Sequence, residues 1–294
     1  MSKPKINILF PCDFFNHKEV DVDYKEEYDA AVRYGFTPLI FCDDDFRNGK
    51  PLVLSIAAEH ETQVIYRGWM MTVELYTRLY EEMTRFGYRL INSSKEYEFC
   101  HYFPDWYHAI SKYTPKSIII NKDLIDKIDT DGMKSLIVKD YVKSRKHEWN
   151  DACFVPDTAD CENLSRVVKN FIERQGDNFV GAVVLREFIA LRNCGEHPKS
   201  KMPISKEVRV FVFNKRAFCY VDYWQGKETV IEKEIEQLLS YCGNIESNFY
   251  TIDFAEKENG GWIIMEIGDG QVSGLQDYSA DCFYESLSKE IMRK

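Results

Sequence analysis

Apolar and polar positions alternate along this chain in two different rhythms, and the change falls near residue 115. In the first third, short apolar runs alternate with stretches of helical period. Lys5–Phe10, Pro38–Cys42, Val64–Tyr66 and Tyr88–Asn92 read as strands. Tyr24–Tyr34 reads as an amphipathic helix ending at Gly35, and Thr72–Phe86 as one closed by Gly87; Ser93 or Ser94 caps a short helix after the fourth strand. Such alternation predicts a parallel sheet flanked by helices. Tyr113-Thr114-Pro115-Lys116 marks a boundary, because proline restricts the residue before it. Beyond it, Ser135–Val142, Val180–Leu191, Glu207–Phe213 and Arg216–Tyr223 read as strands, the last two joined by Asn214-Lys215. Single helices interrupt them at Glu162–Arg174 and Glu232–Tyr241, and Ala280–Met292 closes the chain. Strands in runs predict a mainly antiparallel α+β unit, so the fold class is α/β followed by α+β.

The segment FYTIDFAEKENGGWIIMEIGDGQVSGL, residues 249–275, holds two alternating apolar stretches on either side of Asn259-Gly260. That pair suits a two-residue type I′ hairpin turn. Such a turn sets Asp253 across from Glu266, with Ile252, Phe254, Met265 and Ile267 on the opposite face. Two carboxylates about 5 Å apart repel by roughly 0.2–1 kcal/mol. A divalent cation that prefers hard oxygen ligands, such as Mg²⁺, turns that cost into binding. A solvated hairpin face explains the pattern about equally well.

Of the 294 residues 45% are hydrophobic and 14% aromatic, enough for two domains with real cores. The formal net charge of −10 argues against a general nucleic-acid binder or an anionic-membrane binder. Nine cysteines are scattered without a Cys-x-x-Cys pair, and six histidines are equally dispersed. This fits reduced thiols in a cytoplasmic protein better than disulfides or a zinc site. No stretch approaches the roughly 20 apolar residues of a membrane span.

Lys139 ends the apolar run Leu136-Ile137-Val138, where a lysine needs a partner such as a phosphate unless it snorkels from an edge strand. Lys143, Arg145 and Lys146 follow as a basic loop that either covers polyphosphate or is a plain solvated turn. Val183–Ile189 is a buried-strand pattern carrying Arg186 and Glu187, charges that need partners or an exit from the core. Glu207 and Arg209 share one strand face, as a cross-sheet ion pair or as part of a site. Together, these cations and the Asp253/Glu266 pair meet the two needs of a nucleotide phosphate site, positive charge and magnesium ligands.

In order, these segments resemble the ATP-grasp fold: lysine-bearing strand, loop, helix, Arg-Glu-Phe-Ile strand, Glu-x-Arg strand and Asp…Glu hairpin. The ending EIGDGQVSGL and the early YRGWMM are similar to the bacterial and phage clade named for an arginine and two lysines. The resemblance spans roughly Ser117 to the C-terminus, with a Rossmann-like pre-ATP-grasp domain before it. It implies residues 1–115 as that first domain and 116–294 as a two-lobed ATP-grasp domain, with a small lobe of about 116–186 and a large lobe of about 187–294. It further implies that Lys139 and Lys143 contact ATP phosphates and that Arg186, Glu187, Phe188 and Ile189 form the hinge that reads adenine. Arg209 would lie near the transferred phosphoryl group, Asp253 and Glu266 would hold Mg²⁺, and Arg67 would face the acceptor substrate or make a domain-interface salt bridge. Two departures stand out. Gly268 occupies the place of a common metal-binding asparagine, which points to Asp269 as a substitute third ligand, and Lys143–Asp151 lacks the usual loop glycines.

The implied activity is ATP- and Mg²⁺-dependent joining of a carboxylate to an amine or thiol through an acyl phosphate, with a small-molecule, peptide or protein carboxylate as acceptor. The alternative is an ATP-binding assembly factor without turnover. A nucleic-acid ligase of the covalent-lysine type is disfavoured, since Lys-x-Asp-Gly is absent around Lys139. A two-domain binding protein with merely superficial carboxylates is the blandest reading. Tyr102–Tyr107 and Cys194–Ser205 are candidate pocket walls, and Ser273 a neighbour of the metal.

Overall fold

The computed structural model of the protein describes residues 6–122, 128–196, 203–224, 227, 229 and 232–293. The first sheet is parallel, in the order β2 (Thr37–Phe41), β1 (Ile6–Pro11), β3 (Thr62–Tyr66), β4 (Tyr88–Leu90). Helices α1 (Lys25–Arg33), α2 (Asp43–Arg47) and α3 (Val73–Arg85) follow its strands. Thr72 caps α3 by accepting from the Leu75 amide, and Ser93 with Glu96 forms a capping box at α4 (Ser94–His101). Three helices are absent from the sequence reading: the short α2, a single turn at Trp149–Ala152, and α5 (Phe103–Ile110), whose Pro104 sits in its first turn. Its exposed positions are few, so the polar half of the helical period is hard to see.

The second sheet is antiparallel, in the order β5 (Ser117–Ile120), β8 (Val183–Glu187), β6 (Leu136–Lys139), β7 (Phe154–Val155). The short α6 (Trp149–Ala152) precedes β7, and α7 (Cys161–Gln175) packs Leu164, Val167, Val168 and Phe171 against the strands. The third sheet, also antiparallel, has the order β12 (Arg216–Asp222), β11 (Glu207–Phe213), β13 (Phe249–Glu256), β14 (Trp262–Asp269). A small hairpin, β9 (Asn193–Glu196) and β10 (Pro203–Ser205), lies between the two sheets in the chain. The expected pocket wall at Cys194–Ser205 falls partly outside the described residues, which omit 197–202.

Two helices, α5 and α8 (Lys233–Ser240), cover one face of the third sheet through Phe103, Trp106, Ile110, Ile235 and Leu238. The aromatic end of its other face, with Phe211, Phe213 and Phe249, shares a core with α9 (Ala280–Met292) and with Ile6, Ile8 and Phe10 of the first sheet. No helix among the described residues is long and apolar enough to cross a membrane. None of the nine cysteines, all among the described residues, forms a disulfide.

The β13–β14 hairpin corrects one expectation. Its turn is not the two-residue Asn259-Gly260 type. The Lys257 amide donates to the Gly261 carbonyl at 2.9 Å and the Gly260 amide to the Lys257 carbonyl at 3.0 Å, and Gly260 and Gly261 adopt φ of 89° and 81°. The loop is therefore one residue longer, and opposed positions slip by one. A bulge between Asp253 and Phe254 restores the register, so Asp253 does pair with Glu266. The slip before the bulge gives Ile264, not Met265, the place across from Phe254 in the apolar face. The turn with positive φ at both central residues is the other one, Asn214-Lys215, at 47° and 65°.

Candidate functional site

Lys139 is the last residue of β6, and the chain turns away at once because Asp140 forces it to. Asp140 is fully buried. Its Oδ1 accepts from the amides of Val142 (2.7 Å) and Lys143 (2.6 Å), and its Oδ2 from Gln175 Nε2 (2.9 Å) and the Val180 amide (3.2 Å). Nothing in the sequence pattern singled this aspartate out, yet it fixes where the lysine strand ends. Lys139 is 7% exposed, with its Nζ 3.7 Å from Glu266 Oε1 and 5.4 Å from the centre of the Phe103 ring. Burial pulls its pKa down, and the attraction of Glu266 only partly offsets this. Lys143 is exposed at the rim. Of the basic loop, Arg145 is turned away to Glu148 and to the Arg174 carbonyl and Gln175 side chain, whereas Lys146 is near enough to act on both Lys139 and Glu266. His101, at the end of α4, also faces this cluster, and burial together with Lys143 pushes its pKa down to about 4.

Arg186, on β8, is buried with its guanidinium over the rings of Phe103 (5.6 Å) and Trp106 (5.8 Å). One nitrogen donates to Thr114 Oγ1 at 2.7 Å, while Nε has no hydrogen-bond partner. Burial lowers its pKa to about 10. The chain then leaves the second sheet: β8 ends at Glu187, and by Leu191 the backbone bridges to Lys257 of the third-sheet hairpin. The strand is shorter than the expected Val180–Leu191 because this crossing begins there. The amides of Glu187 and Phe188 already donate to the carbonyls of Lys116 (2.8 Å) and Ser135 (3.0 Å). Phe188 packs against Trp149 and Phe154, and Ile189 is half-buried next to it.

Arg209, Asp253 and Glu266 occupy matched positions on three neighbouring strands. Arg209 makes a bidentate pair with Asp253, Nε to Oδ1 and Nη2 to Oδ2 both at 2.8 Å, donates from Nη1 to the Gly274 carbonyl at 3.0 Å, and stacks on Tyr223. Burial works against its charge, but Asp253 more than compensates. Glu266 is different: its side chain is 48% exposed, and the charges of Lys139, Lys146, Arg186 and Arg209 act on its carboxylate. Those four cations outweigh the cost of enclosure and hold its carboxyl below the usual range. Glu207, two residues before Arg209, has its pKa pushed up to about 7 by burial and, against the pull of Lys146, by Asp253 and Glu266.

Two expected members are elsewhere. Asp269 does not join Asp253 and Glu266: strand alternation sends it to the other face, where it is 2% exposed and accepts from Asn92 Nδ2 (2.6 Å) and from the amide (2.9 Å) and side chain of Gln271. Burial raises its pKa to about 7. Asn92 in turn clamps the Phe249 backbone at both its amide and its carbonyl. Arg67 does not face an acceptor. It is 2% exposed, holds both oxygens of Glu27 (2.8 and 2.9 Å), and donates to the carbonyls of Gly270 (2.7 Å) and Ser273 (2.9 Å). Its salt bridge is to Glu27 of α1, beside the first sheet, and its bonds to the two carbonyls cross to the segment after β14.

YRGWMM and EIGDGQVSGL therefore touch each other, joining the first sheet to the hairpin. Gly270 lets the Phe249 ring of β13 pack against this segment, since a Cβ there would lie 2.8 Å from that ring. At Gly268 a Cβ would lie 2.9 Å from Thr251 Oγ1 and 3.1 Å from Ser273 Oγ, hydroxyls that are themselves 2.8 Å apart. This hydroxyl pair fills the space beside Glu266's strand that a larger side chain would need.

As chemistry, buried or half-buried cations around one open carboxylate and one paired carboxylate can neutralise a polyphosphate and a hard divalent cation together. The fold is shared with solved structures at low identity. A RimK-domain ATP-grasp protein from Sphaerobacter thermophilus DSM 20745 superposes with a TM-score of 0.63 at 11% identity, covering 98% of this chain and 100% of that one. The ATP-grasp ligase PsnB, solved with a minimal precursor, Mg and ADP, gives 0.60 at 10% identity over 99% of each chain. D-alanyl-alanine synthetase A from Vibrio cholerae O1 biovar eltor gives 0.58 at 11%, covering 98% and 94%. No curated protein matches the chain in sequence. The profile of an ATP-grasp domain, family 3 of the clade named for one arginine and two lysines, matches residues 130–287. That is more than half of the chain, and it spans Lys139, Arg186, Arg209, Asp253 and Glu266; the chain belongs to the ATP-grasp family.

Proposed function

We propose that the protein is an ATP- and Mg²⁺-dependent ligase that joins a carboxylate to an amine or thiol. The observation that carries this reading is the convergence of Lys139, Arg186, Arg209, Asp253 and Glu266 from two sheets on one cleft in an ATP-grasp chain. The donors fit the ligand: Arg186 Nε is buried without a partner, and buried Lys139 has its carboxylate only at 3.7 Å. Lys139, Arg186 and Lys146 would face the phosphates of ATP, with Lys143 at the rim and the 187–189 crossing beside the base. Glu266, and the outer lone pairs of Asp253, would hold magnesium, which offsets charge on the β- and γ-phosphates when bound.

In this reading the acceptor carboxylate oxygen bonds to the γ-phosphorus while the β–γ bridging bond breaks, and ADP leaves with the electron pair. The amine nitrogen then attacks the acyl carbon of the acyl phosphate, inorganic phosphate departs, and the amine gives up a proton. The protein contributes positioning and charge rather than a nucleophile. Solved relatives of the fold support a peptide as one class of acceptor, since PsnB and the macrocyclase MdnC are each solved with a precursor peptide. We further assign residues 1–115 to a pre-ATP-grasp domain, about 116–186 to the small lobe and about 187–294 to the large lobe, a division supported by the sheet-to-sheet crossing near residue 187.

Calorimetric titration of the protein with ATP, with and without Mg²⁺, tests the reading. Saturable, magnesium-dependent binding is expected, and ADP should accumulate once a carboxylate and an amine are supplied together. Absence of ATP binding under both conditions overturns it. Binding without ADP formation across acceptor classes would leave the assembly-factor alternative in its place.

A further inference from the structure

At the end of the first sheet, three potential soft-metal ligands that the linear sequence keeps apart are brought together. Cys12 and Cys42 directly follow β1 and β2, neighbouring parallel strands in which Pro11 pairs with Phe41, and the Cys12 amide donates to the Phe41 carbonyl at 2.8 Å. They are the next matched pair in the register, so their side chains leave the sheet side by side. His17 returns to them on a loop closed by the bridge between Cys12 and Val20. That loop is built rather than loose. Asp13 Oδ1 accepts from the amides of Phe15 (2.9 Å) and Asn16 (2.8 Å), the Asn16 carbonyl from the Glu19 amide (2.9 Å), and the Glu19 carbonyl from the Asp13 amide (2.9 Å).

The ligand atoms of Cys12, His17 and Cys42 all lie within 4.8 Å of one another, the cluster of this kind found among the described residues. His17 Nε2 is 3.7 Å from Cys42 Sγ. Ligands at about 2.3 Å (sulfur) and about 2.0 Å (nitrogen) from a tetrahedral Zn²⁺ are separated by roughly 3.5 Å, so this edge already has nearly the length the ion requires. Cys12 is buried, Cys42 partly so, and His17 exposed, which leaves the fourth position toward solvent. The Asp45 carboxylate lies beside Cys42 and His17 but is held by Lys50 at 2.7 Å.

We propose that Cys12, His17 and Cys42 form a Zn²⁺ site that staples the Asp13–Glu19 loop to the C-terminal edge of the parallel sheet. Two thiolates and an imidazole select a thiophilic cation over the magnesium expected at the oxygen-lined cleft, so the two sites would not compete for metal. The staple also fixes the loop that displays Phe14 and Phe15, which are 62% and 92% exposed.

The test uses the full chain, reduced and stripped with a chelator, then titrated with Co²⁺ as a spectroscopic probe and with Zn²⁺. One equivalent of Co²⁺ should produce an intense thiolate-to-metal charge-transfer band, which oxygen ligands at the cleft cannot give, and Zn²⁺ should displace it and raise the melting temperature. Cys42→Ser should abolish the band, His17→Ala should weaken Zn²⁺ binding by on the order of 100-fold, and Cys282→Ser, at an exposed cysteine of α9, should change nothing. Circular dichroism confirms that each variant is folded. No charge-transfer band in the reduced wild type, or a band that survives in Cys42→Ser, overturns the proposal. A Cys12–Cys42 disulfide in fresh protein, with no cobalt bound after reduction, overturns it as well.

Discussion

Glu266→Gln should separate nucleotide binding from folding, and the structure says why this position rather than its partner. The Glu266 side chain is 48% exposed and meets Lys139 at 3.7 Å. Coulomb's law gives that pair about 4 kcal/mol at an effective dielectric near 20, and about 1 kcal/mol in water. Half exposure puts the real value nearer the lower figure, so the loss of stability should be about 1 kcal/mol. Asp253→Asn is the contrasting case. Asp253 is buried and accepts both forks of Arg209 at 2.8 Å. Removing one member of a buried pair costs about 3–5 kcal/mol, and the amide's remaining acceptor recovers part of that, leaving about 2–3 kcal/mol. A drop in nucleotide affinity in Asp253→Asn would therefore mix loss of a metal ligand with loss of the folded site.

The assay pairs urea denaturation with calorimetric ATP titration in magnesium for the wild type and both variants. Glu266→Gln should keep its stability within about 1 kcal/mol of the wild type and lose at least tenfold in magnesium-dependent ATP affinity, about 1.4 kcal/mol. Asp253→Asn should lose on both measures. Unchanged ATP affinity in a folded Glu266→Gln protein would refute the assignment of this carboxylate to the metal. Equal destabilisation of the two variants would refute the distinction between the open and the paired carboxylate.

Two further outcomes follow from buried charges. Glu207 has a folded pKa raised to about 7, so its stabilising protonated form is complete below the ordinary carboxyl range and lost as pH rises through 7. Glu207→Gln should gain on the order of 1 kcal/mol at pH 8, and distinctly less at pH 5; thermal melts that show the larger gain at pH 5 would contradict this. Arg67→Met leaves the Glu27 carboxylate and the carbonyls of Gly270 and Ser273 without their donor. It should cost about 3–5 kcal/mol in urea denaturation, and a near-neutral result would show that this joint does not hold the first sheet to the hairpin.

What the sequence made legible was local. The assumed hairpin turn placed Asp253 opposite Glu266, apolar periodicity placed Lys139 at a strand end, and capping chemistry placed α3 and α4. The turn beneath the carboxylate pair was misjudged, and the pairing survived because a longer loop and a bulge cancel. What stayed hidden depends on contacts made through space. Asp140, Asn92 and Phe103 carry no motif, and each acts by meeting a segment dozens of residues away. Asp269 failed as a third ligand for a reason that alternation itself contains: it is three residues from Glu266, and an odd separation along a strand puts it on the opposite face. The proximity of Cys12 and Cys42 was hidden in the same way, since a scattered spacing says nothing about two strands that run side by side.

The repulsion argument for a metal also needs its missing partners. Taken alone, Asp253 facing Glu266 is an unfavourable pair that a cation relieves. In the folded protein Arg209 already pairs with Asp253, and Lys139, Lys146 and Arg186 surround Glu266. Two carboxylates set among at least as many cations have little repulsion left for a bare divalent ion to relieve, and the cations oppose its approach. A polyphosphate changes that balance, because it gives those cations anionic partners of its own and supplies further oxygens to the metal. On the proposed reading the physical logic of the site is thus a joint one: the excess positive charge around Glu266 suits the nucleotide, and the nucleotide's charge would make Glu266 a place for magnesium.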